Sequence, residues 1–202
     1  MERILIFIKH HLQFLWKLIE LANSYVFHLL FGRRMRDVAE RITRETPGDE
    51  FIYRELNPSD IDSLHTLLDS QLQDDLRYFN PHGFDRNSLA SQMKNRAFLM
   101  MGAFDKDKLI GYFFLRFFAN RKCFVGRLID KNYRGKGVGR TMNRIMYGIA
   151  WQINFRCLST VSTNNKSVMK AHAGNTNMKI LKKLDNDYLL VEFVRNAQAT
   201  SV

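Results

Sequence analysis

Cysteine is scarce in this 202-residue chain: there are two, Cys123 and Cys157, each inside an apolar, strand-like run. So small a number excludes a disulfide framework, and both are expected to be reduced packing residues of a cytosolic protein. The six histidines lack the spacing of zinc ligands, so no metal is assigned. Acids are in deficit, 20 against 31 lysines and arginines, which leaves a formal net charge of +11. That balance favours an anionic partner: nucleic acid, an acidic membrane surface or a phosphorylated ligand. The sequence has no internal repeat and no low-complexity segment. What it does have, 46% hydrophobic residues and 16 phenylalanines, is enough to bury a real core. The length suits one domain with an appendage.

The first residues, from Met1 to Asp37, are rich in apolar side chains but lack the small-residue cleavage site of a signal peptide. They also lack the run of about twenty nearly uncharged residues that a membrane span needs. Lys9, Gln13, Lys17, Glu20, Ser24 and His28 recur at steps of three and four, a polar stripe along a helix. The opposite, broad face carries Ile8, Leu12, Leu15, Trp16, Ile19, Tyr25, Phe27 and Leu30. A basic cluster, Arg33, Arg34 and Arg36, then opens a second short helix that runs to about Arg44. The apolar face has three burials open to it: its own domain, a second copy through residues 1–45, or the interface of an anionic membrane. The third would make a cytoplasmic protein peripheral on the inner face of the membrane. "TPGDE" then marks a break, which divides an amphipathic, basic helical extension (1–46) from a main domain (47–202).

Beyond the break, "FIYREL" reads as a strand. A start signal at Ser59 and Asp60 opens a helix carrying Ile61, Leu64, Leu67, Leu68, Leu72 and Leu76 at helical steps. Pro81 and Gly83 break it, and "RNSLASQMKN" gives a second helix. Two apolar runs about "DKDK" predict a hairpin, and "KCFVGRLI" a further strand. Met142, Ile145, Met146, Ile149 and Ile153 line one side of a helix, "FRCLSTVS" is another strand, and "NNKSVMKAH" a short helix. "MKILKKLDNDYLLVEFVR" closes with a hairpin, and the tail after it is small and polar. The central strand, helix and strand make a parallel crossover inside an otherwise antiparallel sheet. The fold class is therefore mixed α/β, a sheet of about seven strands flanked by helices.

The segment Leu128–Met146 carries the clearest chemistry. Arg134-Gly135-Lys136-Gly137-Val138-Gly139-Arg140 leads straight into a helix. It is no Walker A loop, since Gly137 follows Lys136 where Ser or Thr is required. It is no dinucleotide fingerprint, since Arg140 stands where the third glycine belongs. What remains is a run of backbone N–H groups at a helix start, which with the helix dipole suits a pyrophosphate. From Arg121 to Arg144 there are eight basic residues and one acid, Asp130, so local charge reinforces the backbone.

On Arg134, Gly137 and Gly139 the sequence resembles the GNAT superfamily of acyl-CoA N-acyltransferases, whose signature is Gln/Arg-x-x-Gly-x-Gly/Ala. "NKSVMKAH", Asn165 to His172, is similar to the family's later Asn-containing motif, and the element order matches from about Phe51 to Arg195. The resemblance implies a GNAT-like sheet and acetyl-CoA as donor, with its pyrophosphate on the N–H groups of Gly135, Lys136, Gly137, Val138, Gly139 and Arg140. The pantetheine arm would lie between two splayed strands against Leu128, Ile129 and Asp130, with Asn165 near the cofactor or capping its helix. His172 stands where many members place a tyrosine that protonates the leaving thiolate; as a structural residue it would simply close a short helix. His82 falls in the acceptor-pocket region as a base or substrate contact, or else stabilises a turn. Asp130 faces the pocket in the family, or caps the anion loop.

The likeness of "YFNPH" and "KAH" to acetyltransferases of bacterial surface-polysaccharide synthesis suggests a small amine acceptor, an amino sugar. A protein N-terminus or lysine is the alternative within the class. A non-catalytic CoA-binding or membrane-docked scaffold is the alternative outside it. Nucleic acid ranks last, because the basic residues gather at the cofactor loop and no aromatic-basic stacking platform accompanies them.

Overall fold

The computed structural model describes residues 13–46, 50–166, 168–169 and 177–195. Helix α1 (Gln13–Phe27) passes through a π turn (His28–Gly32) into α2 (Arg33–Glu45). Strand β1 (Ile52–Glu55) is followed by α3 (Ile61–Asp69), a single turn α4 (Gln73–Leu76) and α5 (Arg86–Met93). Then come β2 (Phe98–Asp105), β3 (Lys108–Phe118), β4 (Lys122–Ile129), α6 (Val138–Gln152) and β5 (Arg156–Ser162). Residues 166, 168 and 169 are helical, and β6 (Met178–Lys183) and β7 (Tyr188–Phe193) form the last hairpin.

The strands make one seven-stranded sheet in the order β1-β2-β3-β4-β5-β7-β6. Every neighbouring pair is antiparallel except β4–β5, which α6 connects as the expected crossover. Strand alternation sends β3 side chains to two cores. Phe113, Leu115 and Phe117 pack with Phe27, Met35, Val38, Ile42 and the buried side of α6. Tyr112 and Phe114 pack on the other face with Leu64, Leu67, Leu68 and Leu89 of α3 and α5.

Four features depart from the sequence reading. The helix expected from Ser59 to Leu76 breaks after Asp69, because the Ser70 hydroxyl and Gln71 amide both donate to the Leu67 carbonyl, at 2.9 and 3.0 Å. They satisfy an end carbonyl that a continuing helix would have used. The start signal also lies earlier: the Asn57 side chain accepts from the Ser59 N–H, and the Asp60 carboxylate receives the Asn57 N–H. The two N-terminal helices form one helical run that stays helical through the π turn.

The largest difference concerns which way α1 looks. Of its polar stripe, Glu20 and Ser24 are turned inward, with Asn23 beside them, while Lys17 stays exposed. The Asn23 amide donates to the Phe117 carbonyl at 2.9 Å and its oxygen accepts the Ala119 N–H at 3.0 Å. The Ser24 hydroxyl accepts the Arg96 N–H at 3.1 Å, and Glu20 pairs with Arg116. Those strand-end groups have no further strand to pair with, so the helix completes them. Phe27 is fully buried against the sheet, stacked on Phe117. Leu18, Leu21, Tyr25, Val26, Leu29 and Leu30 face outward, Leu29 at 80% exposure. Ile8, Lys9 and Leu12 lie outside the described residues. No helix among the described residues is long and apolar enough to cross a membrane.

Candidate active site

Strands β4 and β5 pair over only three residues each, Lys122–Phe124 with Arg156–Leu158. One further contact, the Ser159 hydroxyl to the Val125 carbonyl at 3.0 Å, marks the point where they part. Beyond it Val125–Ile129 and Ser159–Ser162 form opposite walls of a cleft of about 420 Å³. Asn143, Met146 and Tyr147 of α6 also line it, with Arg77–Pro81 from the loop after α4 on another side. Parted strands expose backbone N–H and C=O groups that a closed sheet would have paired, a natural rail for an amide-bearing ligand.

At the far end of β4, Asp130 starts a tight turn. Its carboxylate accepts the Asn132 N–H at 2.9 Å and meets the Lys108 ammonium at 3.3 Å. Burial pushes its pKa up, but the Asn132 N–H and Lys108 outweigh this and hold it below the usual carboxylate range. The side chain is therefore an anionic anchor for the turn, and it does not line the cleft. Gly135 and Gly137 then take φ of 81° and 87°, a left-handed conformation that favours glycine. The first bond of α6 runs from the Arg140 N–H to the Gly137 carbonyl at 2.8 Å, so the Val138 and Gly139 N–H groups precede the ladder. No side chain among the described residues caps this helix start. A Cβ on Gly139 would come within 3.1 Å of both the Arg127 guanidinium and the Ile129 side chain, so glycine permits the close approach there.

Arg127 is the site residue that motif reading passed over. Its Nε donates to the Asn143 side chain at 2.8 Å, which holds the guanidinium beside the glycine loop. Burial lowers its pKa, yet an arginine keeps its charge at any physiological pH. With Arg134, whose Nε donates to the Ile129 carbonyl at 3.3 Å, it puts two cations at the helix start. The sequence signal was a cation inside the otherwise apolar strand "KCFVGRLI". Tyr147, stacked on Phe193 at 4.4 Å, is another lining residue without a motif; burial raises its pKa and keeps the phenol neutral.

Of the residues singled out from sequence, Leu128, Ile129, Arg134 and Asn165 line the cleft. Of the loop Gly135–Arg140, Gly139 lies against the lining residues Arg127 and Ile129, and none of the six lines the cleft itself. Asn165 caps its helical turn, its side chain accepting the Val168 N–H at 3.1 Å. His82 stands behind the cleft wall. Its Nε2 is 2.6 Å from the buried Tyr112 hydroxyl, and its Nδ1 is 2.8 Å from the Gly83 carbonyl. A carbonyl only accepts, so Nδ1 carries the proton and Nε2 accepts from Tyr112. Burial lowers the His82 pKa, against the opposing effect of the Gly83 carbonyl, and favours a neutral ring. His172 lies outside the described residues.

The family model described as "Acetyltransferase (GNAT) family" matches residues 61–173, more than half of the chain. The chain belongs to the GNAT acetyltransferase family.

Solved GNAT structures share its fold. The PaiA N-acetyltransferase of Thermoplasma acidophilum, in complex with coenzyme A, aligns at TM-score 0.61 and 18% identity over 72% of this chain and 99% of that one. The ribosomal-protein-alanine N-acetyltransferase of Brucella melitensis aligns at 0.60 and 16%, over 71% and 99%. The GNAT domain of S. lividans PAT aligns at 0.61 and 13%, over 70% and 88%. No curated protein matches the sequence. An N-acetyltransferase of this family takes its acetyl group from acetyl-CoA, and the parted strands, uncapped helix start and paired arginines of this GNAT chain have the donor set that such a ligand requires.

Proposed function

We propose that this GNAT chain transfers acetyl from acetyl-CoA to the amine of a small acceptor, and that the acceptor is an amino sugar. One observation carries the reading: the parting of β4 from β5, with an anion-binding helix start at one end and a mixed polar and aromatic wall along it. Arg134 and the N–H groups of Gly135, Lys136, Gly137, Val138, Gly139 and Arg140 would hold the pyrophosphate, helped by Arg127. The backbone of Leu128, Ile129 and Asp130 would bind the amide-bearing arm, and Asn165 would flank it. The bound donor supplies a thioester carbonyl and a thiolate leaving group.

The chain's own groups must then position a neutral amine and manage two protons. His172, His82 and Asp130 are the candidates. Asp130 is already engaged by Lys108, and His82 by Tyr112. His172 is the group we assign to protonating the thiolate, and His82 to fixing the acceptor wall through Phe79, Asn80 and Pro81. Tyr78 and Phe79 offer ring faces, and Asn80, Ser159, Thr160 and Tyr188 offer amide and hydroxyl groups, the mixture that holds a sugar ring. None of the lining side chains among the described residues is acidic, which supports a small acceptor over a basic peptide.

We assign residues 47–202 to the acetyltransferase domain and residues 1–46 to an extension. The extension would work in the cytoplasm, on the inner face of the membrane or against a second copy. Calorimetry with acetyl-CoA tests the donor site: the wild type should bind, and Gly137→Glu should abolish binding through bulk, charge and positive φ. Thiol release across amino sugars and peptides tests the acceptor. Turnover with peptides alone would overturn the sugar assignment, and binding with no turnover on either panel would favour a scaffold.

A further inference from the structure

The outward face of α1 and the π turn that continues it is apolar for more than three turns. Leu18, Leu21, Tyr25, Val26, Leu29 and Leu30 are each at least 42% exposed. A helix whose polar side is spent on strand ends and whose apolar side meets water is built to have that side covered. The cover is indicated by charge. Lys17 lies at one end of the ridge and Arg33 at the other, both exposed, while Arg34 reaches back to the Gln152 carbonyl at 2.9 Å. Arg96 sits over the Tyr25 ring at 5.6 Å and Arg121 over the Phe31 ring at 5.8 Å, so cations flank it as well. The one acid of α1, Glu20, is on the opposite side and paired with Arg116.

A second copy is a poor match for this collar. In a two-fold dimer the ridge meets itself, and Lys17 and Arg33 bring cation to cation in either helix orientation. An anionic bilayer neutralises all of them and takes the leucines into its interface. We infer that the outward ridge of α1 docks this protein on an anionic lipid surface, a step that rests on the membrane-facing reading of the extension. The geometry also separates the ridge from the cofactor loop. Helix α1 is tied to the end of β3, next to the start of β4, whereas the glycine loop follows the last residue of β4. Eight residues of extended chain separate them by about 25 Å.

Sedimentation of the full chain with mixed phosphatidylglycerol–phosphatidylcholine vesicles, against pure phosphatidylcholine, tests the surface. The expected result is binding to the anionic vesicles that weakens with salt, and a loss of at least about tenfold in the double variant Leu21→Glu/Leu29→Glu. Acetyl-CoA binding by that variant, unchanged in calorimetry, establishes that it is folded. Wild-type chain left in the supernatant with both lipids overturns the proposal, and so does equal vesicle binding by the double variant. A dimer that the double variant dissolves, without vesicle binding, makes a second copy the occupant and overturns it too. Vesicle binding with no thiol release would leave the surface standing and count against the enzymatic reading alone.

Discussion

Helices α1 and α6 are both fifteen residues long, both amphipathic, and set in opposite senses. Helix α6 buries Met142, Ile145, Met146 and Ile149 under the sheet and sends Arg140 and Arg144 to water. Helix α1 buries Ser24, uses Asn23 to satisfy strand ends, and shows its leucines to solvent. Periodicity reveals that a helix has two faces. Which face turns inward depends on what the neighbouring element lacks. Under α6 the sheet lacks apolar cover, whereas beside α1 the ends of β2 and β3 lack hydrogen-bond partners.

The contrast can be broken from the α6 side first. Ile145 is fully buried, and Ile145→Ala should lower the unfolding free energy by roughly 2–5 kcal/mol in denaturant titration. A smaller effect sharpens it from the α1 side. Asn23→Ala leaves the Phe117 carbonyl and Ala119 N–H unpaired, and should destabilise by about 1–3 kcal/mol in the same assay. Smallest of all, Leu29→Ala should fall within about 0.5 kcal/mol of wild type, because the side chain is already in water. An ordinary amphipathic helix would rank Asn23 and Leu29 the other way round, so that ranking would refute the inversion.

Elements with strong local signals were legible in the sequence. The hairpin about Asp105–Lys108, the crossover through α6 and the glycine loop all follow from spacing and turn chemistry, and the structure has each of them. The break after Asp69 was hidden because Leu72 and Leu76 keep the helical step while Ser70 and Gln71 end the helix with side-chain hydrogen bonds. The orientation of α1 was hidden because the groups that orient it, Phe117, Ala119, Arg96 and Arg116, lie more than seventy residues away. The cleft shows the same division. Its anion loop is one contiguous motif, whereas Arg127, Asn143, Tyr147 and Ser159 meet only when β4, α6 and β5 are assembled. His82 carried a sequence signal as a loop histidine, but Tyr112, whose hydroxyl it engages through Nε2, is thirty residues on.

The three-residue seam between β4 and β5 has a mechanical meaning. Mechanically the sheet is two plates, four strands and three, welded along one short edge at which Cys123 faces Cys157. Beyond that edge and the Ser159–Val125 contact, α6 packs under both plates. A ligand laid in the gap becomes a second weld. Its binding free energy then adds to the cohesion of the plates, about 2.7 kcal/mol when the ligand stands at a hundred times its dissociation constant. On the proposed reading, in which acetyl-CoA occupies this gap, the protein with its donor in place should unfold at a higher temperature than the protein without it.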